Sequence, residues 1–509
     1  MQTTKWQKDY EEFEAVTRKF YAGEVTVPEY KGFSGGFGSY AQRGGKSSML
    51  RLRLSGGRVT KEKLGFIADA IRKYHIDKVH FTTCQTIQFH NLNADTVCEL
   101  SVSALDAGIV TRGGGGDFPR NVMVSPLSGV EKGEYFDVMP YANAAADYLM
   151  RLIKTVKLPR KLKVCFSNSP ANQTHATFRD LGFCAREDGT FDVYCAGGLG
   201  NNPKMGVPVA EKIRPDQILY YIEAMVRLFT TYGNYENRAK ARTRYMQDVL
   251  GDKLPEEYLK KLEDAKAECP DLTLHISDSV SPKCSDGSEV VSPRIIAQKQ
   301  NGLYAVKYHP IGGCPSPEKL VDLYEAICDM DGVELRLTPD EGAYIINCTG
   351  KEAERILEIT SDSAGTVFES SVACIGASIC QVGVRDSQAL LATLVNESRK
   401  WDFADGVLPQ IHISGCPSSC GTHQIGKIGF RGGMKKVDGK PVSAFVMTVN
   451  GEDEENHERF GEQLGTILET DIPAFFKDLG EEISASGMLY DDWYAKNPER
   501  FKEIAGKYL

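Results

Sequence analysis

The chain has 509 residues, 41% of them hydrophobic and 25% charged, and a formal net charge of −9. That length calls for several domains instead of one core. The acidic balance speaks against nucleic-acid or anionic-membrane binding, no stretch has the apolar length of a membrane span or secretory signal, and fourteen cysteines then read as thiols of a reducing, cytoplasmic compartment.

Residues 1–44, with the glycine-rich run Gly32-Phe33-Ser34-Gly35-Gly36-Phe37-Gly38, read as an arm wrapping the core. Gly36 to Ala41 nominally matches a dinucleotide fingerprint, but it follows no strand and is read as a loop. In Met49-Leu50-Arg51-Leu52-Arg53-Leu54 the leucines take one strand face and Arg51 and Arg53 the other. The stretch His80 to His90 reads as one strand, with His80, Thr82, Cys84, Thr86 and Gln88 on one side. A face of hydroxyl, amide and imidazole groups suits a polycarboxylate macrocycle. Gly113 to Gly116 lacks the ending of a phosphate loop and serves to turn the backbone ahead of Phe118-Pro119-Arg120-Asn121-Val122. In Leu158-Pro159-Arg160-Lys161-Leu162-Lys163-Val164, Lys161 and Lys163 share a face opposite Leu162 and Val164. Taken singly, each basic pair reads as a solvated strand face. Gly197 to Gly200 reads as a turn or as a close backbone approach to a ligand, and Asn237 to Tyr245 as a solvated helix face.

The chain also repeats itself. Residues 49–91 lie on 305–347 at a constant offset of 256, matching Gly56-Gly57 with Gly312-Gly313, Glu62-Lys63-Leu64 with Glu318-Lys319-Leu320, and Asn91 with Asn347. A fainter echo, at offset 247, sets Phe166 to Pro170 on Ile413 to Pro417 and Gly182-Phe183 on Gly429-Phe430. Only the second copy carries the cysteines; the first has Ser169 and Asn172 in that loop. Two diverged halves sharing one site is the natural inference, with 269–302 as their connection.

Near the end of the chain stand Cys374-x5-Cys380 and Cys416-x3-Cys420. Two short-range pairs brought together make a four-thiolate site, for a structural zinc or for an iron–sulfur cluster. The remaining ten cysteines are scattered and read as buried apolar residues.

The cysteine pairs and their flanking residues resemble the signature of the sulfite and nitrite reductases, whose 4Fe-4S cluster is coupled to a siroheme. The resemblance implies Cys374, Cys380, Cys416 and Cys420 as cluster ligands, with Cys420 bridging to the siroheme iron. It likewise implies Arg51, Arg120, Lys161 and Lys163 as the cations around the substrate. One departure is Cys84, which stands where family members commonly have an arginine for a siroheme carboxylate; either Arg43, Lys46 or Arg53 takes that contact, or the macrocycle sits differently.

The expected fold is α/β (α+β), an internally repeated pseudo-twofold sulfite/nitrite reductase fold with ferredoxin-like half-domains around a central siroheme and cluster. Its expected parts are the arm 1–44, a first half-domain 45–112, a siroheme and substrate domain 113–268, the connection 269–302, a second half-domain 303–365 and a 4Fe-4S domain 366–509. The resemblance implies six-electron reduction of sulfite to sulfide, or of nitrite to ammonia. No flavin or nicotinamide module is evident, so electrons would come from ferredoxin or a separate flavoprotein subunit. The contrasting reading is a non-catalytic, zinc-stabilised binding protein, which would be colourless.

Overall fold

The computed structural model describes residues 2–276 and 283–509. They divide into two compact units, the first of Met1–Gly198, Pro203–Tyr308 and Pro315–Ser361, the second of Leu199–Asn202, His309–Cys314 and Asp362–Leu509. Among the described residues no helix is long and apolar enough to cross a membrane.

The first unit opens with helices α1 (Gln2–Tyr21) and α2 (Val27–Ser34), the latter started by a capping box of Thr26 and Glu29. Trp6, Tyr10 and Phe13 of α1 are buried, and Phe13 stacks on Phe37 at 4.9 Å between ring centroids. There follow β1 (Ser39–Ala41), β2 (Ser48–Leu52), β3 (Arg58–Val59), α3 (Lys61–Tyr74), β4 (Val79–Phe81), β5 (Ile87–Leu92) and α4 (Ala94–Ser103). Strand order is β1-β2-β5-β4, all antiparallel. Leu50 and Leu52 of β2 are fully buried and Arg51 is half-buried, as the alternation requires.

The expected single strand from His80 to His90 is instead a hairpin. The Thr82 N–H donates to the Thr86 carbonyl at 3.0 Å, the Gln85 N–H to the Thr82 carbonyl at 2.9 Å, and Gln85 adopts φ 53°. Thr82, Cys84 and Thr86 thus lie in the turn. Period-two alternation continues on both sides of it, which is why the sequence reads straight through.

A second layer of the same unit holds β6 (Met123–Val124), α5 (Met139–Leu152), β7 (Val164–Ser167), β8 (Leu181–Ala185), β9 (Phe191–Cys195), β10 (Val207–Ile213), α6 (Ile218–Tyr232), α7 (Met246–Leu250) and α8 (Leu254–Glu268). The sheet runs β10-β9-β8-β7-β6, with β6, β7 and β8 parallel. Its apolar side packs with α5, α6 and α8 into one core, including Leu162, Phe183 and Met225.

The second ferredoxin-like sheet comprises β11 (Ile295–Ala297), β12 (Tyr304–Tyr308), α9 (Pro317–Ile327), β13 (Glu334–Leu337), β14 (Ala343–Cys348) and α10 (Gly350–Ile359), in the order β11-β12-β14-β13-β3. The offset of 256 holds element by element: β1, β2, β5 and α4 map onto β11, β12, β14 and α10 with both ends in register. Gly56 and Gly312 share φ near 60° (61° and 59°), a left-handed turn that glycine adopts without strain. Helices α3 and α9 pack together, and a Cβ on Gly65 would stand 3.0 Å from the Tyr324 ring. Strand β11 falls inside the stretch read as a connection, of which residues 277–282 lie outside the described residues.

The second unit holds β15 (Val372–Ala373), α11 (Ser387–Ser398), β16 (Ile411–Ser414), β17 (Ile428–Val437), β18 (Lys440–Val449), β19 (Glu462–Leu468) and three helices between Ile472 and Gly506. Strands β15, β16 and β17 are parallel and β18 and β19 antiparallel, the plan of the β6–β10 sheet. Register is kept as well: Phe166 stands opposite Phe183, and Ile413 opposite Phe430. In both copies the loop between the second and third strands turns through left-handed residues, Asn172 and His175 in one, Ser419 and Thr422 in the other.

Candidate active site

The four cysteines expected as sulfur ligands lie in the loops that follow β15 and β16, at the C-terminal ends of parallel strands, where open α/β sheets place their ligands. Cys374 follows β15 directly and donates its N–H to the Ile413 carbonyl at 3.1 Å. Its Sγ accepts the Gly415 N–H at 3.2 Å and lies 3.1 Å from Ser387 Oγ. Cys380 sits in a turn in which its N–H donates to the Gly376 carbonyl at 2.9 Å. Cys416 is buried, Cys374 and Cys380 are half-buried, and Cys420 is exposed. The loop around them is tight: a Cβ on Gly421 would lie 2.1 Å from the Ile413 carbonyl oxygen.

Burial, then the neighbouring Cys420, push the Cys374 thiol up to about 12, against the opposing N–H of Gly415 and hydroxyl of Ser387. A cationic centre reverses that balance, because its charge favours the thiolate. Four thiols with a backbone N–H aimed at one sulfur fit the donor set of an iron–sulfur cluster. Among the described residues no three His, Cys, Asp or Glu stand close enough to share a single ion.

The first copy repeats this hydrogen bonding with oxygen. Ser125 donates its N–H to the Phe166 carbonyl at 3.1 Å, and its Oγ accepts the Asn168 N–H at 3.1 Å. Ser125 therefore stands where the second copy has Cys374, and Ser169 where it has Cys416. The expectation for the last ligand needs correction: Asn172 corresponds to the left-handed Ser419, and Gln173 to Cys420.

The cations of the first unit converge on one another. Arg51 Nη1 and Arg120 Nη2 donate to the same carbonyl, that of Gly114, at 2.7 and 2.6 Å, and Arg120 Nη1 reaches Gly116 O at 3.3 Å. The glycine run thus receives both guanidinium groups. Burial, then Arg51, push Arg120 down to about 10, so the pair is short of negative charge. An anion would relieve it. Arg51, Gln88 and His80 are cross-strand neighbours on β2, β5 and β4, and the Gln88 amide oxygen accepts from Arg51 Nε at 3.2 Å. His80 Nε2 lies 3.6 Å from Glu341 Oε1, and Thr82 Oγ1 bonds Thr86 Oγ1 at 2.7 Å across the hairpin turn.

Arg120 joins the lysine strand, its N–H donating to Leu162 O at 2.8 Å. Leu162 is fully buried, leaving half-buried Lys161 and Lys163 on the other face. The Lys163 N–H donates to Asp180 Oδ2 at 2.9 Å, and its Nζ donates to Cys84 Sγ at 3.1 Å. Burial lowers the Lys163 ammonium from its ordinary range, with Cys84 opposing and Arg179 and Arg242 adding to the shift.

Arg53, one candidate for the contact vacated by an arginine at position 84, is committed elsewhere: its guanidinium donates to the carbonyls of Arg112, Pro119 and Arg120 at 3.1, 3.1 and 3.0 Å. The segment read as a solvated helix face is solvated only through Lys240. Beyond it Arg244 is buried, and Arg242 Nη2 pairs with the fully buried Asp180 at 3.0 and 3.1 Å. Asp180, Arg179, Arg242 and Arg244 were not foreseen as part of this region; the clustered arginines at 242 and 244 were the available signal. The scattered cysteines also depart from the expectation: Cys98, Cys165, Cys184, Cys195 and Cys348 are buried, whereas Cys284 is exposed and Cys84 half-buried.

Residues 115–266 match the nitrite and sulphite reductase 4Fe-4S domain, and residues 40–102 match the nitrite/sulfite reductase ferredoxin-like half domain. Both matches fall in the first copies; the cysteines lie in the structurally equivalent second copy. The chain is 26% identical over 446 residues to the chloroplastic ferredoxin--nitrite reductase of Betula pendula, covering 84% of this chain and 74% of that one. It is 25% identical over 429 residues to sulfite reductase [ferredoxin] 1 of Mycolicibacterium paratuberculosis, covering 80% and 74%. The solved structure of the Mycobacterium tuberculosis NirA protein shares the fold, with a TM-score of 0.76 at 22% identity over 92% of this chain and 89% of that one.

Proposed function

Since this chain belongs to the nitrite and sulphite reductase family, we propose that it reduces sulfite to sulfide, six electrons per anion, using a siroheme and a 4Fe-4S cluster. Cys374, Cys380, Cys416 and Cys420 would hold the cluster, with Cys420, the exposed member, also serving the siroheme. When bound, the two groups supply iron at the substrate and electrons one at a time.

The observation that carries this reading is the convergence of Arg51 and Arg120 on the Gly114 carbonyl, both of them acting on Cys84, the partner of Lys163. Guanidinium groups so placed bind and orient an oxyanion bidentately. Each oxygen must leave as water, which consumes protons. Lys163, with its ammonium lowered by burial, gives up a proton more readily than an exposed lysine, and Lys161 shares its face. His80, Thr82, Thr86 and Gln88 would line the macrocycle.

Sulfite is preferred over nitrite because Lys163 stands where the family's sulfite reductases tend to have lysine and its nitrite reductases asparagine. An additional cation favours the more highly charged anion. Nitrite reduction to ammonia is the second reading, favoured by the names of several relatives. Ferredoxin, named in those relatives, is the proposed donor, with a separate flavoprotein subunit as the alternative; the proposed reducing, cytoplasmic setting rests on the cysteine content alone.

Purification without oxygen, an absorption spectrum, iron and sulfide analysis, and parallel assays on sulfite and nitrite with reduced methyl viologen test this directly. Bound iron, a Soret band and turnover of sulfite are expected. Absence of both cofactors would sink the reading, and turnover of nitrite alone would reverse the substrate order. Cys420→Ser should abolish electronic coupling between the two iron centres, read by electron paramagnetic resonance.

A further inference from the structure

Cys84 stands in the hairpin turn between β4 and β5, and the structure gives its sulfur a definite partner. Lys163 Nζ donates to its sulfur at 3.1 Å. The turn that carries Cys84 is fixed from outside. Asn121 Nδ2 donates to the carbonyls of Cys84 and Gln85 at 3.0 and 3.1 Å, and the Gln85 side chain bonds the backbone N–H and carbonyl of Val124 at 2.9 and 2.8 Å. The backbone that presents the sulfur is therefore held by side-chain hydrogen bonds.

The neighbours of the sulfur are mostly cations. Arg51 comes from β2, Arg120 from the edge beside Leu162, and Arg179 from the loop before β8. Behind Lys163 lie Asp180 and its partner Arg242. Cys84 also packs against the buried cluster of Met123, Cys165, Ala176 and Cys184, in which burial pushes the Cys165 thiol up to about 12. Burial opposes ionisation of Cys84 too, but Lys163, Arg179 and Arg51 outweigh it and bring the thiol down to about 6.

We propose that Cys84 is a specificity-determining residue of the oxyanion pocket: its thiolate pairs with the Lys163 ammonium, cancels one positive charge there, and returns that charge when the sulfur takes up a proton. The pairing also holds the ammonium in one place, so Cys84 acts through Lys163 and not on the reacting atoms. This rests on the pocket being the substrate site proposed above.

The sign follows from charge. A thiolate repels an arriving anion and a thiol does not, so oxyanion affinity falls as pH rises through the titration of Cys84. Serine keeps the size of cysteine and does not ionise in this range. The test is calorimetric titration of the oxidised holoenzyme with nitrite, a monoanion throughout, between about pH 5.5 and about pH 7.5. The wild-type dissociation constant should rise roughly three- to tenfold over that range. Cys84→Ser and Cys84→Ala should give a flat profile, equal to wild type at the acid end and tighter at the neutral end. Parallel profiles in wild type and variants would overturn the proposal. So would loss of siroheme absorbance in both variants, since the sulfur would then serve the macrocycle. If neither wild type nor variant binds nitrite or sulfite at any pH, it is the substrate-site reading that fails.

Discussion

Asp180 illustrates how neighbouring cations are held in place by one buried anion. Its carboxylate takes the Lys163 N–H and the Arg242 guanidinium, and Thr243 donates to it as well. Burial works to raise its pKa, but Arg242, Thr243 and Lys163 outweigh burial and leave it below the ordinary carboxylate range. Its folded-state value is thus lower than its unfolded one. The stabilisation it gives is present above the unfolded value and is lost as pH falls through the folded one. Asp180→Asn should cost about 3 kcal/mol, because Arg242 is left partly buried without its counter-charge, and should flatten the acid limb of a melting-temperature profile. At Lys163 itself, Asn should shift the ratio of sulfite to nitrite kcat/KM toward nitrite by roughly tenfold; an unchanged ratio would count against the charge argument. That Arg51, Lys161 and Lys163 face away from the buried Leu50, Leu52 and Leu162 is legible in sequence, because side chains alternate along an extended chain. Asp180 is not, since its role exists only once β7 and β8 lie side by side.

At the scale of elements, the two parallel-sheet copies share a loop that admits no side chain at one position. A Cβ on Gly182 would lie 1.9 Å from the Ala176 carbonyl oxygen, and one on Gly429 1.9 Å from that of His423. Alanine at either site must push the loop away, costing about 2 to 4 kcal/mol. The two variants should lower the melting temperature alike and differ in one respect. Gly429→Ala should also lose iron and acid-labile sulfide, because its loop carries Cys416 and Cys420; Gly182→Ala should keep them. The repeats themselves are readable from sequence because no insertion breaks the offset between Gly56 and Gly312 or between Gly182 and Gly429. The hairpin at Thr82–Thr86 is not, because its strands keep one polar face on either side of the turn. The ending of β3 on the second ferredoxin-like sheet, beside β13, is likewise a long-range pairing that no local pattern signals.

For the whole molecule, the division into two units predicts how cofactor loss is felt. The first unit has its own cores, one built on Leu50, Ile67 and Leu335, another on Phe166, Phe183 and Phe229. The second has a separate core around Phe430, Phe445 and Phe476, and all four cysteines of the proposed cluster. Removing iron with a chelator should therefore lower one calorimetric transition and leave the other in place. A single transition that shifts as a whole would show the units to unfold together. Turnover driven by ferredoxin should fall with added salt while turnover with methyl viologen does not, if an acidic donor docks on basic side chains. Sequence could anticipate the family and the repeat. It could not say that His309–Cys314 joins the second unit while the strand just before it, β12, stays with the first.

The serine at 125 and the cysteine at 374 occupy one backbone niche, each receiving the same amide hydrogen bond. The first copy is thus an internal blank for the proposed cluster site: a hard oxygen at Ser125 and Ser169 and an amide at Gln173 stand where the second copy has the soft sulfurs of Cys374, Cys416 and Cys420.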